Sequence, residues 1–395
     1  MMQKNIMLQI FTGGYLENNV TYNAIEEKIC PLLQTGKIKG ILIGWSIKTQ
    51  VYEKVIQLVH SYDAECYLWL PVFSENGLLE KAEMLRDDTG NQVRSYALKE
   101  GENFEFYCPN QRNSKENVRH IYEKHFEKYT FDGLFLDKIR YGSFANGISG
   151  VFNCFCPACE KAYAKAGIDP AQLQAEMKKV REQREEYQKS PLGITGYVDG
   201  SYEFANPLWK QFFTWKSEQI TKALEEIISY FRGKNMKIGV DTLSPFMAEF
   251  VGQDYKKLKG MVDFVKPMMY GITNAPAGLP FEYANLLQKT VPDGGENVRN
   301  IMNHILSIQN DSTTRMDKDF VREEVRIVCD HEIPVMCGIE INRIPGIVDV
   351  TPTYIQETMQ ELSKTQISGF VLAWDILSAP EENIEMLKNM IGKEN

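Results

Sequence analysis

Short apolar runs without a helical period alternate along the chain with longer stretches whose apolar residues recur every three or four positions. The runs at 6–11, 38–45, 66–73, 133–136, 237–242, 262–270, 334–341 and 369–374 read as strands. They are apolar throughout rather than alternating, as strands buried on both faces of a parallel sheet are. Helical spacing is found at 21–35 (through Ile25, Ile29 and Leu33), 50–62 (Val55, Ile56, Val59), 114–128, 207–233, 283–310, 317–331, 353–364 and 381–391. Pro31 is expected to kink or shorten the first of these helices.

Two stretches interrupt the alternation. Residues 74–113 are polar and irregular. Residues 142–206 form an insertion far longer than an ordinary strand-to-helix loop, and hold the segment CFCPAC, a helix over 170–188 and a Gly/Tyr-rich piece. Eight strands with intervening helices, no second set of strands and no low-complexity linker predict an α/β fold. It is a single (β/α)8 TIM barrel over residues 1–395 with a long insertion after the fourth strand. A doubly wound open sheet would present a Gly-rich phosphate loop after the first strand, and Thr12-Gly13-Gly14-Tyr15 matches that poorly.

In such a barrel the residues just past the strands' carboxyl ends converge on one pocket. They include Trp45 after the second strand; Asp137, Arg140 and Tyr141 after the fourth; Asp241 after the fifth; Tyr270 after the sixth; Glu340 and Asn342 after the seventh; and Trp374 and Asp375 after the eighth. Flat aromatic faces suit the C–H surface of a sugar ring, and carboxylates and amides suit its hydroxyls. Cleaving a glycosidic bond also needs two carboxyl groups in distinct roles. Asp137, Asp241 and Glu340 are the catalytic candidates; Trp45, Arg140, Tyr141, Tyr270, Asn342, Trp374 and Asp375 are the substrate-binding ones. Glu340, between Ile339 and Ile341, and Asp241, after Ile238-Gly239-Val240, are carboxylates in apolar strands that must be either paired or used. Each has a plainer reading: Trp45 as a cover over the core, Asp375 and Asp137 as turn caps.

The stretch YTFDGLFLDKIRY at 129–141 resembles the fourth-strand signature of glycoside hydrolase-like TIM barrels, in which Asp-Gly is followed by Leu-Asp and then by Arg and an aromatic residue. Cys108-Pro109-Asn110, ahead of the helix leading to Tyr129, is similar to the approach to that strand. VDFVKPMMY at 262–270 resembles the sixth strand of the same barrels through Asp263, Met269 and Tyr270, and GFVLAWDI resembles the eighth. The resemblance covers residues 105–376. It implies a glycosidase acting on a carbohydrate or glycoside with no required cofactor. Asp137 would be the nucleophile or transition-state stabiliser, and Asp241 or Glu340 the acid. Arg140 is expected beside Asp137 as its counter-charge. The chitinase-type D-x-x-D-x-D-x-E pattern is absent, which argues against assistance from a substrate N-acetyl group. Two other readings are a sugar isomerase or aldolase-type barrel holding a divalent cation on Glu340, Asp241 and Asp137, and a non-catalytic carbohydrate-binding barrel. No histidine stands at a strand end, which weakens the metal-dependent one.

Charge and cysteine usage narrow the partners. A net charge of −9, with basic residues scattered and the densest group (Lys178, Lys179, Arg181, Arg184) interleaved with Glu, excludes a nucleic-acid partner. No run approaches the roughly 18 apolar residues of a membrane helix, and MMQKNIMLQIF lacks a signal-peptide core, so a cytoplasmic protein is expected, with no membrane partner. Cys30, Cys66, Cys108, Cys329 and Cys337 stand alone as free thiols. Cys154, Cys156 and Cys159 are candidate ligands of a structural Zn²⁺, with Cys108 or a His as the fourth; the plainer reading is that the segment packs beside the barrel mouth. The insertion is expected either to wall the pocket or to form a contact in a homo-oligomer.

Overall fold

Eight parallel strands close into a barrel: β1 (Asn5–Phe11), β2 (Ile38–Gly44), β3 (Glu65–Pro71), β4 (Gly133–Asp137), β5 (Lys237–Leu243), β6 (Phe264–Met268), β7 (Met336–Glu340) and β8 (Gly369–Ala373). This computed structural model describes residues 4–75, 78, 83–98, 102–310 and 312–392. Spatial order follows chain order, and β8 closes on β1 with Asn5 beside Gly369. Side chains inside the barrel and helices around it bury both faces of every strand, which is why the runs carry so few polar residues. The first helix, Tyr22–Leu33, lays Ile25, Ile29, Leu32 and Leu33 against the barrel. It ends two residues past Pro31, so the proline falls in its last turn and shortens the helix.

Two predicted helices differ from expectation. The stretch 283–310 is two helices, Leu279–Thr290 and Gly295–Ile305, parted at Val291-Pro292-Asp293-Gly294. Pro292 lacks the N–H a continuing helix needs, and Gly295 takes a φ of 52°, which glycine adopts freely. The stretch 114–128 is an α-helix over Arg112–Ile121 that loosens into a π-helical turn over Tyr122–Phe126.

Two long excursions leave the barrel on one side of its mouth. Between β3 and β4 the chain forms a small hairpin, Tyr96–Ala97 with Asn103–Phe104. Between β4 and β5 it forms helices Pro157–Lys165 and Pro170–Arg181, then a hairpin of Ile194–Val198 with Ser201–Phe204. The helix Pro207–Arg232 follows, its first turn capped by the Asn206 side chain. Among the described residues no helix is long and apolar enough to cross a membrane.

At the mouth, Phe11, Trp45 and Trp69 pack edge to face, with Trp45 4.8 Å from Phe11 and 4.7 Å from Trp69 between ring centres. This cluster requires β2 and β3 to approach closely at Gly44. A Cβ there would lie 1.9 Å from the Trp69 carbonyl oxygen, a backbone atom that cannot move aside cheaply. Gly44→Ala is expected to destabilise the fold by about 3 kcal/mol, at the upper end of overpacking costs; a fall in the denaturation midpoint at constant slope checks this.

Candidate active site

Strand register assembles the centre of the site. On β3, Pro71 lies beside Asp137 of β4, and Trp69 points to the same face two residues earlier. The Trp69 indole N–H donates to Asp137 Oδ2 at 3.1 Å, and the backbone N–H of Lys138 donates to Oδ1. Lys138 itself takes a left-handed φ of 51°. Its buried ammonium is held between Glu75 and Glu102, each at 2.9 Å, and lies 4.6 Å from the centre of the Phe104 ring. Burial disfavours this cation, but Glu102, Glu75 and Asp137 outweigh burial and hold Lys138 above the ordinary lysine range.

A second charge pair follows from the register of β5 and β6, which sets Lys266 beside Asp241. Lys266 Nζ donates to Asp241 Oδ2 at 2.8 Å and to the Tyr270 hydroxyl oxygen at 2.8 Å. Burial pushes the Asp241 carboxyl up to about 7, against the pull of Lys266 and with a further push from Asp137. Its Oδ1 is buried without a hydrogen-bond partner.

Asp137, Lys138, Asp241, Lys266 and Tyr270 line one cleft. Four buried polar side-chain atoms without partners belong to residues lining it: both amide atoms of Gln9, Asp241 Oδ1 and Thr273 Oγ1. Arg140 also faces it, with Nη1 donating to the Tyr141 carbonyl at 3.1 Å and the guanidinium 4.5 Å from the centre of the Phe106 ring. Burial lowers the Arg140 pKa. Its hydrogen bond runs to that carbonyl, and no ion pair joins it to Asp137 among the described residues.

Of the residues singled out from the sequence, Asp137, Arg140, Asp241, Tyr270 and Trp374 line this one cleft. The others sit behind or beside it. Trp45 is fully buried and backs Trp69. Tyr141 turns toward the cysteine-rich insertion, with the Lys216 ammonium 4.7 Å from its ring centre. Asn342 accepts the Trp374 backbone N–H at 2.9 Å and so fixes where Trp374 leaves β8. Asp375 accepts the N–H groups of Phe11 and Leu377, both at 3.2 Å, and caps the turn Ile376–Ser378. Burial raises its pKa to about 6. Glu340 does not line the cleft: its Oε1 accepts the Ile272 N–H at 2.8 Å and the Tyr354 hydroxyl at 2.9 Å, pinning the connection after β6. Burial raises Glu340 to about 7.

The sequence reading passed over Gln9, Trp69, Lys266 and Thr273. Gln9 in LQIF and Lys266 in VKPMM interrupt apolar strands as Glu340 does, so the same signal pointed to them.

Cys108 does not stand alone. Its sulfur lies with those of Cys154, Cys156 and Cys159, all four buried and all within 4.8 Å of one another. Cys108 and Cys159 are 3.4 Å apart between sulfurs, well beyond disulfide length. Polar hydrogens converge on the cluster: the Arg86 backbone N–H on Cys154 at 3.5 Å, the Asn110 amide on Cys159 at 3.3 Å and the Gln111 amide on Cys156 at 3.5 Å.

No protein-family model and no curated protein sequence matches the chain. Solved structures do. The glycoside hydrolase domain of PgaB (BpsB) from Bordetella bronchiseptica superposes with a TM-score of 0.60 at 11% identity, over 99% of both chains. A β-galactosidase from the psychrophilic Marinomonas ef1 gives 0.57 at 12% identity, over 98% of this chain and 59% of that one. An α-L-fucosidase isoenzyme from Paenibacillus thiaminolyticus gives 0.50 at 12%, over 100% and 49%. The likeness at these identities is one of fold: the closed eight-stranded barrel.

Lys266→Met removes the cation bonded to Asp241. The Asp241 pKa is then expected to rise further above its present value near 7, because Lys266 pulls it down; carboxyl NMR titration of the two proteins measures this directly.

Proposed function

We propose that this protein is a glycosidase in which Asp137 and Asp241 form the carboxylate pair. The observation that carries the reading is the convergence of unpartnered polar atoms on a cleft walled by aromatic rings and holding two carboxylates. Buried polar groups are satisfied almost without exception. A cleft floored by Gln9, Thr273 and Asp241 with hydrogen bonds unmade suits a ligand that brings many hydroxyls, as a sugar does. The rings of Trp69, Tyr270 and Trp374 offer flat apolar surface to its C–H faces. The glycoside hydrolases among the structural neighbours add support at the level of fold.

In this reading Asp137 works on the anomeric carbon, as nucleophile or by activating water, with Trp69 and the Lys138 N–H fixing the direction of its oxygens. Asp241 is the acid. Its pKa near 7 keeps a proton available at neutral pH, and the oxygen not held by Lys266 is free to deliver that proton to the departing oxygen as the C–O bond breaks. Glu340 takes a supporting role through Ile272. The metal-dependent isomerase reading is less favoured: among the described residues, Asp137, Asp241 and Glu340 do not gather within ligand distance of one another, whereas the four cysteines do.

The cysteine cluster fits a structural Zn²⁺. A tetrahedral site with Zn–S bonds of about 2.3 Å has sulfur–sulfur edges of about 3.8 Å, and the sulfurs here lie within 4.8 Å of one another. The three donors aimed at sulfur suit thiolates. Burial lowers the Lys216 pKa to about 7, while the charge of Cys154 and Cys159 pulls it the other way, so the lysine lies within electrostatic reach of the cluster. Such an ion would tie the excursion before β4 to the one after it and take no part in bond cleavage.

Screening against para-nitrophenyl glycosides tests the enzyme reading. Asp137→Asn is expected to lower kcat/KM on these substrates, and Asp241→Asn on oligosaccharides whose departing alcohol must be protonated, by roughly 10²- to 10⁴-fold while circular dichroism stays unchanged. Wild-type kcat/KM on oligosaccharides should fall as pH rises through about 7, because the acid must hold its proton, and Asp241→Asn should lose that limb. Full activity in Asp137→Asn would sink the assignment. For the metal, elemental analysis of purified protein is expected to give one zinc per chain, and Cys159→Ser to lose it along with several degrees of thermal stability.

A further inference from the structure

We infer that the cleft receives the terminal residue of a glycan, or the sugar of a small glycoside, and excludes the interior of a chain. This rests on the glycosidase reading and adds the direction from which substrate enters. A polysaccharide bound through its middle needs a groove open at both ends across the barrel mouth, and here one end is bridged. The hairpin of the β3–β4 excursion supplies Leu98, Glu102 and Phe104 to the cleft, and the connection after β6 supplies Ala275, Pro276 and Ala277. Strands β4 and β5 lie between β3 and β6, so these two segments meet across the sector where Asp137 and Asp241 emerge. They meet at Tyr96 and Phe281, whose rings pack edge to face at 5.6 Å.

Both feet of the bridge are fixed by the chain that follows β4. Asn146 Nδ2 donates to the carbonyls of Arg94 at 3.0 Å and Phe104 at 2.8 Å, holding the hairpin. On the other side Glu282 Oε1 accepts from the Ser143 hydroxyl at 3.1 Å and from the Ala277 N–H at 3.0 Å. Lys138 adds an ion pair to Glu102 of the hairpin. The opposite rim is different: Trp374 at the end of β8 is only half-buried, with its ring 6.1 Å from that of Tyr270. The terminal sugar therefore sits beneath the bridge, and the departing portion leaves across the Trp374 face.

Gluco-, galacto- and N-acetylglucosamine oligosaccharides of graded length, beside their para-nitrophenyl monoglycosides, test this with two readouts. Product chromatography of the wild type is expected to show single sugars released from the start. Calorimetry with Asp137→Asn is expected to show one protein bound per chain whatever its length. Trp374→Ala should raise KM for the oligosaccharides more than for the monoglycoside. Mid-length fragments at early times, or loading in proportion to chain length, would overturn the pocket inference and leave the glycosidase reading standing. Neither turnover nor binding across the whole panel would overturn both.

Discussion

The ion pair between Asp241 and Lys266 is where the barrel's geometry becomes chemistry. Neither residue could be buried alone: a lone carboxylate or ammonium at so dry a depth would lose its charge or unravel the strand that carries it. Adjacent parallel strands place them side by side, and the pairing leaves one carboxylate oxygen bound and the other bare. Burial outweighing a single cation is what keeps this carboxyl protonatable near neutrality. The same logic runs through Lys138, where two carboxylates around one ammonium reverse the outcome and lock the charge on. One mouth thus holds a carboxyl poised to exchange its proton and an ammonium fixed in its charged state, set apart by the number of opposite charges each one meets.

Backbone conformation follows this charge arrangement. Lys138 and Glu75 are both non-glycine residues in the left-handed region, and they are salt-bridged to each other. A residue held there typically costs about 1–3 kcal/mol, and such positions persist where surrounding contacts over-determine them. Here the contacts are the ion pairs and the rings of Trp45 and Phe104 facing the ammonium. These contacts hold the turn out of β4 at the point where it presents Asp137.

Much of the fold was legible because burial on both faces leaves a plain mark: eight apolar runs too short and too unperiodic for helices. The strand ends were legible for the same reason, since polarity returns abruptly there. What sequence could not distinguish was the use to which a buried polar group is put. Glu340 stood out by its apolar flanks, and those flanks report only that it is buried among apolar groups; Ile272 and Tyr354 bond its Oε1 away from the cleft, and its Oε2 is buried without a partner. Gln9 carried an equal signal and is left unsatisfied within the cleft lining. The bridge over the mouth was out of reach, because Tyr96 lies in the excursion after β3 and Phe281 in the helix after β6, and nothing local in either couples them. Cys108 looked solitary for the same reason: its partners lie 46 to 51 positions along the chain.

The spacing of those cysteines has a bearing on how the molecule is made. Cys108 leaves the ribosome ahead of β4, and Cys154, Cys156 and Cys159 leave after it. The four sulfurs can gather only once β4 has been synthesised, so closure of the cluster marks the passage of the strand that carries Asp137. Doubling the length of such a loop adds only about 0.6 kcal/mol to its closure, so the delay is one of timing more than of energy. A nascent chain stalled before Cys154 would hold four barrel strands and Cys108 without its three partners, and the cluster would gather only in chains that had already completed the strand carrying Asp137.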